Sequence, residues 1–554
     1  MRLASLHLAS LRSAPAQPTT LHIPNISPSN PGKMLDYSSN KIADMLDTQF
    51  DRCVFSPLRM FGSTLAKNFN GTIFRFPLRS PHSAETSRLS KQAHTEEKMV
   101  SLLEEFGDVA TEMLLFLKNL ETLECYTCGW IPDPATPTEF ILNPTPTLIS
   151  KTAVNSTDLL RTKRAFILLS NSSSSSSSSS QSQSQVQVND YAMSISHNSV
   201  PTTWVVCNQL GGGNATVLAS NPDLAHMKLI PWAGVAARLD GESHSQLNNS
   251  GKAYCFLPLP VKTGLNVHVN GYFELSSNRR DVWQGDDMAG DGAIRAEWNV
   301  ALCELAASCY ARLLHQSIKH KHISPATHHS FLPVLQDLGG PLWVKLAIAF
   351  YAEIENLPVL HSNATSSWEQ PSQSVLFHSI EDSTLSKILD KQPTLPLVHL
   401  PDELKTTLLN LEITTKTTTP QFVRSHYSSK NDRPEQQLER EDAKYLLEYS
   451  ISDLTADDYG AKLHNLPFLP VADRSLQRLQ RLVQINSNSL QQLISMGFTR
   501  LLCQVSERAK FAIYRYIHCF TNPHSSLGAA RTTIEKEQHR RGHRVVIRAP
   551  SRSF

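Results

Sequence analysis

Residues 251–283, GKAYCFLPLPVKTGLNVHVNGYFELSSNRRDVW, read as strand-forming sequence broken by Gly and Pro, and a long helical pattern begins shortly afterwards at Asp291. A fold that accommodates both must lay helices on a sheet, so the expected class is α/β (α+β). The AYCFLPLP and NVHVNGYFELS runs are expected to pair as strands around Thr263-Gly264. The helix, from Asp291 as N-cap to about Ser317, turns Trp298, Leu302, Leu305, Cys309 and Leu313 inward. Pro341 suits the first turn of another helix, with Leu342, Leu346, Phe350 and Ile354 on its buried side. A further helix is expected over 438–453. Upstream, GTIFRFPLR (71–79) sets Phe74, Phe76 and Leu78 on one strand face, and Pro77 confines that strand to an edge or an end. The helical stretch after it repeats Met99, Leu103, Phe106, Ala110, Met113 and Leu117; Gly107 weakens it by roughly 1 kcal/mol relative to Ala.

The tract NSSSSSSSSSQSQSQVQVND (171–190) cannot bury enough apolar area to offset chain entropy and is expected to be a disordered insertion. RAFILLS and TTWVVCNQL flank it, so it is expected to extend a connection between two strands. The length of 554 residues suits about three domains. A formal net charge of +2 speaks against a generally nucleic-acid-binding chain, although Arg-rich residues 531–554 form a basic arm. That arm lacks interleaved aromatics and is expected to be a solvated end. Nine scattered cysteines fit a reducing compartment, and no apolar run reaches the ~20 residues that cross a bilayer. Residues 1–20 hold Arg2, Arg12 and serines with no acidic residue, the composition of an organelle transit peptide or of a plain flexible terminus.

Several motifs have a bland reading that outweighs the chemical one. Cys125-Tyr-Thr-Cys128 has zinc-knuckle spacing but no second pair, so two core cysteines are expected. Gly211-Gly-Gly-Asn214 lacks a following Gly-Lys-Ser/Thr and reads as a flexible strand connection. The Asp286–Gly292 cluster lacks calcium-loop spacing and reads as an acidic turn before a helix. His320/His322 and His328/His329 are expected in solvent. Asn278-Arg279-Arg280 is either a pair of surface arginines beside Asp281 and Asp286 or an anion clamp.

Taken together, LIPWAGVAARL (229–239), residues 251–283, and GDGAIRAEWNVALCELAASCYARLL (290–314) resemble the sacsin repeat. GTIFRFPLR, PLWVKLAIAFYAEIENLPVL, VHLPDEL and LEYSISDLTADDYGAKLHNLPFLPVAD continue the resemblance, from about residue 21 to 473. The family pattern has Gly where Arg474 stands. Sacsins are very large co-chaperones whose repeats resemble the ATP-binding and middle domains of the ninety-kilodalton heat-shock chaperones, in the GHKL ATPase superfamily. The resemblance implies a remnant of a GHKL-type ATP-binding α/β sandwich over 21–82, then a middle-domain-like α/β region over 83–473, between an unmatched start (1–20) and an unmatched tail (474–554). By the same resemblance Gly71-Thr72 opens the last strand of the nucleotide fold, near adenine, and Arg279 or Arg280 is a phosphate-sensing arginine. The family's catalytic Glu, magnesium-holding Asn and D-x-G-x-G loop should precede Gly71, and the sequence there contains none of them. Asp287–Gly292 imitates that loop with one residue too many. Without the magnesium ligand and the base for the attacking water, no ATP hydrolysis is expected from this chain, and ATP is a cofactor only if the missing half is supplied. The implied function is that of a sacsin-like chaperone or co-chaperone segment working by protein contact in quality control. Its expected partners are other chaperones or unfolded clients, and its expected location is the cytoplasm, or an organelle if residues 1–20 are a transit peptide. An ATPase completed by other sequence and an anion-binding module using the basic tail are the alternatives.

Overall fold

In the strand Val200–Leu210 the five residues from Trp204 to Asn208 are buried in succession, which requires cover on both faces of a sheet. The computed structural model that shows this describes residues 3–8, 20–23, 33–36, 60–61, 72–73, 81–87, 90–132, 134, 140–143, 145–155, 158–164, 186–239, 251–284, 290–377, 383–414, 416–429, 438–455, 462–463, 466, 468–470 and 476–477. The chain divides into two units, Met1–Val359 and Leu360–Phe554.

In the first unit, in chain order, stand β1 (Leu3–Leu8), α1 (Glu96–Met113), β2 (Thr122–Cys128), β3 (Thr147–Asn155), α2 (Asp158–Arg164), β4 (Gln187–His197), β5 (Val200–Leu210), α3 (Gly213–Ser220), β6 (Trp232–Arg238), β7 (Lys252–Cys255), β8 (Leu257–Lys262), β9 (His268–Gly271), α4 (Asp291–Lys319) and α5 (Pro341–Ile354). These nine strands form one sheet in the order β1-β2-β3-β4-β5-β6-β9-β7-β8, and Thr20–Ile23 with Lys33–Asp36 and Trp130–Pro132 with Phe140–Leu142 form two separate antiparallel pairs. Every pairing is antiparallel except β7 with β9. Pro258 and Pro260 fall on β8, the outermost strand, where a missing N–H costs no ladder bond.

Alternation along the strands assigns the two faces. Ala110, Leu114 and Leu115, from α1 and just beyond it, share a buried cluster with Tyr191, Met193, Trp204, Val206, Ala236 and Tyr254. The opposite face, with Val205, Cys207 and Val235, receives α4, where Cys309 donates its thiol to Ala233 O at 3.7 Å. Thr95 caps α1 by accepting from Lys98 N. Gly107 of α1 has a packing role: a Cβ there would stand 3.3 Å from His197 and 3.4 Å from Ser150 Oγ, so its absence lets helix and sheet approach.

Several expectations from the sequence are corrected. Arg164 ends helix α2 instead of opening a strand, and the rest of RAFILLS lies outside the described residues. The buried Arg164 guanidinium donates to the carbonyls of Leu114 (2.7 Å), Leu117 and Leu120 (3.4 Å), satisfying acceptors at and beyond the end of α1. Residues 187–190 belong to β4, so the span expected to be disordered reaches too far. That strand pairs with β5 across a turn at Asn198-Ser199, so TTWVVCNQL is the second arm of a hairpin and not the partner of RAFILLS. Of residues 71–79 only Thr72 and Ile73 are described, and they lie outside any strand. AYCFLPLP folds back on itself at Phe256 (φ +62°), because Asn270 Oδ1 accepts from Phe256 N at 2.8 Å and holds the reversal.

Thr263-Gly264 is therefore not the turn between β8 and β9 partners. It is a crossing point, where Gly339 N bonds Thr263 O (2.9 Å) and Thr263 N bonds Gly251 O (2.8 Å). At Gly264, φ is +75° and a Cβ would lie 2.2 Å from Asp337 O. Alanine at 264 is expected to cost about 2–6 kcal/mol, adding left-handed strain to overpacking. Chemical denaturation of the variant measures this, and a loss below about 1 kcal/mol would contradict the close approach.

The second unit holds β10 (Leu360–Ser362) antiparallel to β11 (Ser367–Glu369), and β12 (Val375–Leu376) parallel to β13 (Leu397–Val398). Helices α6 (Ser383–Asp390), α7 (Asp402–Asn410), α8 (Pro420–Ser429) and α9 (Arg440–Ser450) accompany them, the last inside the expected 438–453. Leu389, Leu397, Tyr427, Leu446 and Phe468 share its core. Arg424, nearly buried, pairs with Asp453 (Nη2–Oδ2 2.9 Å) and holds that carboxyl below its ordinary pKa.

Candidate functional site

The chain between β9 and α4 reverses as a short hairpin with the adjacent arginines at its tip. Trp283 N donates to Glu274 O (2.9 Å), Leu275 bridges Val282, and Ser276 N donates to Asp281 O (2.9 Å). At the tip Arg279 N donates to Ser276 O (2.8 Å), with Arg279 in the left-handed region (φ +56°). Asn278 fixes this unfavourable turn: its Oδ1 accepts from Ser276 Oγ (2.7 Å) and from Arg280 N (2.9 Å). Arg279 and Arg280 are exposed, and among the described residues neither forms an ion pair, Asp281 included. Asp286 lies outside the described residues.

The hairpin base is anchored to α4. Asn299, fully buried, donates from Nδ2 to Glu274 O (2.8 Å) and Trp283 O (2.6 Å), and its Oδ1 accepts from Glu274 N (2.8 Å). One amide therefore grips both arms of the hairpin. Neighbouring contacts add to it: Trp298 Nε1 donates to Tyr272 O (2.9 Å), Trp283 Nε1 to Gly292 O (3.1 Å), and Arg295 lies 5.8 Å over the Trp283 ring. The arrangement presents two permanent cations on a stiff arm with their forks toward solvent, a geometry suited to an anion on an opposing surface.

Sequence reading singled out the arginines but missed Asn299. Its signal was a polar residue in register with buried Cys303, Ala306 and Tyr310, one helical stripe round from the Trp298 series. Asp291 is not the N-cap; Gly290 is, with φ +60°, and Asp291 occupies the first turn. Gly71 lies outside the described residues, and Thr72 is exposed, with no hydrogen bond, ion pair or ring contact to the hairpin among the described residues.

The remaining motifs resolve as follows. Cys125 and Cys128 are both buried, and the Cys128 thiol donates to Asn143 O at 2.9 Å while burial pushes its pKa up. Gly211–Gly213, all with positive φ, lead from β5 into α3 and do not join two strands. His320 and His322 are exposed, but His328 is buried, its Nδ1 2.7 Å from Pro325 O, contrary to the expectation of solvent. Among the described residues no group of three or more His, Cys, Asp or Glu gathers as a metal site, and no helix is long and apolar enough to cross a membrane.

A family model for the Sacsin domain matches residues 15–130. Sacsin from Homo sapiens is 33% identical over 310 residues, which is 52% of this chain and 6% of sacsin, so the chain spans a small part of that relative. No solved structure matches the chain. With a sacsin-domain match ending just past β2 and 33% identity to sacsin over a stretch longer than that domain match, the chain is similar to the sacsin family along that part of its length.

Proposed function

We propose that this chain is a chaperone or co-chaperone segment that works by protein contact. The observation that carries the reading is the 33% identity to human sacsin over 310 residues. The purified chain is expected to suppress the aggregation of a heat-denatured model protein, followed by light scattering, near equimolar ratio and without added nucleotide. Light scattering that proceeds as in the absence of the chain would overturn the reading.

The hairpin favours a second role within it. Two unpaired guanidiniums on an anchored arm suit the γ-phosphate of a nucleotide bound by a GHKL-type half-site that other sequence supplies. The interaction would act across an interface, and the chain would add the arginine without hydrolysing ATP itself. In a protein completed with such a half-site, Arg279→Ala or Arg280→Ala is expected to lower ATP turnover by about 10²-fold. Turnover unchanged by both substitutions would remove the nucleotide role and leave the protein-contact role standing.

A further inference from the structure

Part of one face of β4 has no helix over it. In the β4–β5 ladder Asp190 stands opposite Cys207 and Ala192 opposite Val205. Val205 and Cys207 are buried, but Ala192 is exposed, so α4 covers β5 and stops short of β4. A cleft of about 270 Å³ remains there, close to the lower end of small-molecule sites, ~300 Å³. Ala192, Val205 and Leu313 of α4 give it apolar wall, and Lys163, Gln316 and His320 stand around them.

A carboxylate oxygen on this wall lacks a partner. Asp190 gives its Oδ2 to Arg312, at 2.7 Å from Nε and 2.6 Å from Nη2. Its Oδ1 is buried and has no hydrogen-bond partner among the described residues. The Cys207 thiol lies near the carboxylate, but a thiol is a weak donor and this one also faces Cys309. A buried acceptor left empty is costly, and on a cavity wall a ligand can supply the missing donor. The surrounding charges decide what kind of donor suits it. An anion would face this carboxylate and the negative pole at the end of α4, whose last turns contribute Gln316 and His320 to the rim. An ammonium would face the Arg312 guanidinium and Lys163, which has no ion pair among the described residues. A neutral N–H or O–H meets neither repulsion.

We propose that this cleft binds a neutral aromatic molecule bearing a hydroxyl or ring N–H, which donates to Asp190 Oδ1 while its ring lies on Ala192, Val205 and Leu313. The hydrogen bond is charge-assisted, and the ring removes apolar wall from water. Arg312 already holds the Asp190 carboxylate, so the acceptor is fixed before the ligand arrives. Because the ligand carries no net charge, its affinity depends little on ionic strength.

The test titrates the full chain at neutral pH with phenol, anisole, benzoate and benzylammonium, followed by ligand-detected NMR. The four share one ring and differ in the group that meets Asp190. Phenol is expected to bind, and the other three at least tenfold more weakly, since each loses the neutral donor. Asp190→Asn is expected to weaken phenol about tenfold, because an amide that keeps its oxygen on Arg312 turns its NH₂ toward the ligand. The same variant should bind anisole no more weakly than the wild type does, a result that general loss of structure would not produce. Ala192→Phe, at an exposed position, fills the cleft and should abolish binding. Absence of phenol binding to the wild type, equal or tighter binding of anisole or benzylammonium, unchanged phenol affinity in Asp190→Asn, or binding retained by Ala192→Phe would each overturn the proposal. The ligand series uses the wild type alone, so the test stands if a variant fails to fold.

Discussion

Replacing Asn299 by leucine is expected to remove about 3–6 kcal/mol of stability and to free the arginine hairpin. The side chain is fully buried and makes three hydrogen bonds to the hairpin backbone, with Glu274 N, Glu274 O and Trp283 O. Leucine fits the volume but leaves three polar groups without partners, at about 1–3 kcal/mol each where they remain buried. The lower end of the range applies if water reaches the opened hairpin. Urea denaturation measures the stability, and amide exchange across 274–283 measures the loosening. Asn299→Asp keeps the acceptor but sets a buried carboxylate against two carbonyl oxygens, so at neutral pH it should be at least as destabilising as leucine. A stability change below about 1 kcal/mol in Asn299→Leu, with hairpin exchange unaltered, would show that the hairpin stands without the amide.

Acidification should expose a second buried group. His268 is 3% exposed, and burial is the main cause that lowers its pKa to about 4. Trp204 stacks on its ring at 5.5 Å, Tyr254 meets it edge-on, and its Nδ1 accepts from Lys252 N at 3.1 Å. Of the charged groups nearby, Lys252 lowers the pKa further and Glu112 raises it, the two forming an ion pair of 2.7 Å with each other. As pH falls below the ordinary value of 6.5, the unfolded chain takes up a proton that the folded chain refuses until about pH 4. The unfolded state then binds more protons, so this contribution is fully present above pH 6.5 and declines between 6.5 and 4. Over that window the loss is about 3 kcal/mol. Denaturation midpoints from pH 7 to 4 read it, and His268→Gln should have a shallower slope than the wild type. Parallel slopes in the two proteins would show that His268 does not carry the effect.

Sequence periodicity located α4, α5 and α9 to within a few residues, because a helix that buries one stripe records its 3.6-residue repeat locally; it found the start of α1 but ran the repeat on to Leu117, past the helix end at Met113. It also gave the mixed class. The sheet was less legible. β4 was hidden partly inside a polar tract, since its outer residues Gln187–Asp190 are only half-buried and carry no alternation of apolar side chains. The AYCFLPLP run looked like one strand, because the reversal at Phe256 depends on Asn270, a residue from another strand. At the candidate site the two arginines were visible as a dipeptide, but the backbone grip of Asn278 and Asn299 was not.

What the sequence determined by itself was which segments can be helices, which runs demand burial, and a likeness to the sacsin domain, because each of these is a property of neighbours along the chain. The tertiary structure alone decided that β7 lies parallel to β9 and that an asparagine holds the arginine arm. These depend on which backbone groups and side chains meet across space, and a hydrogen bond between distant residues leaves no periodic trace in the order of amino acids.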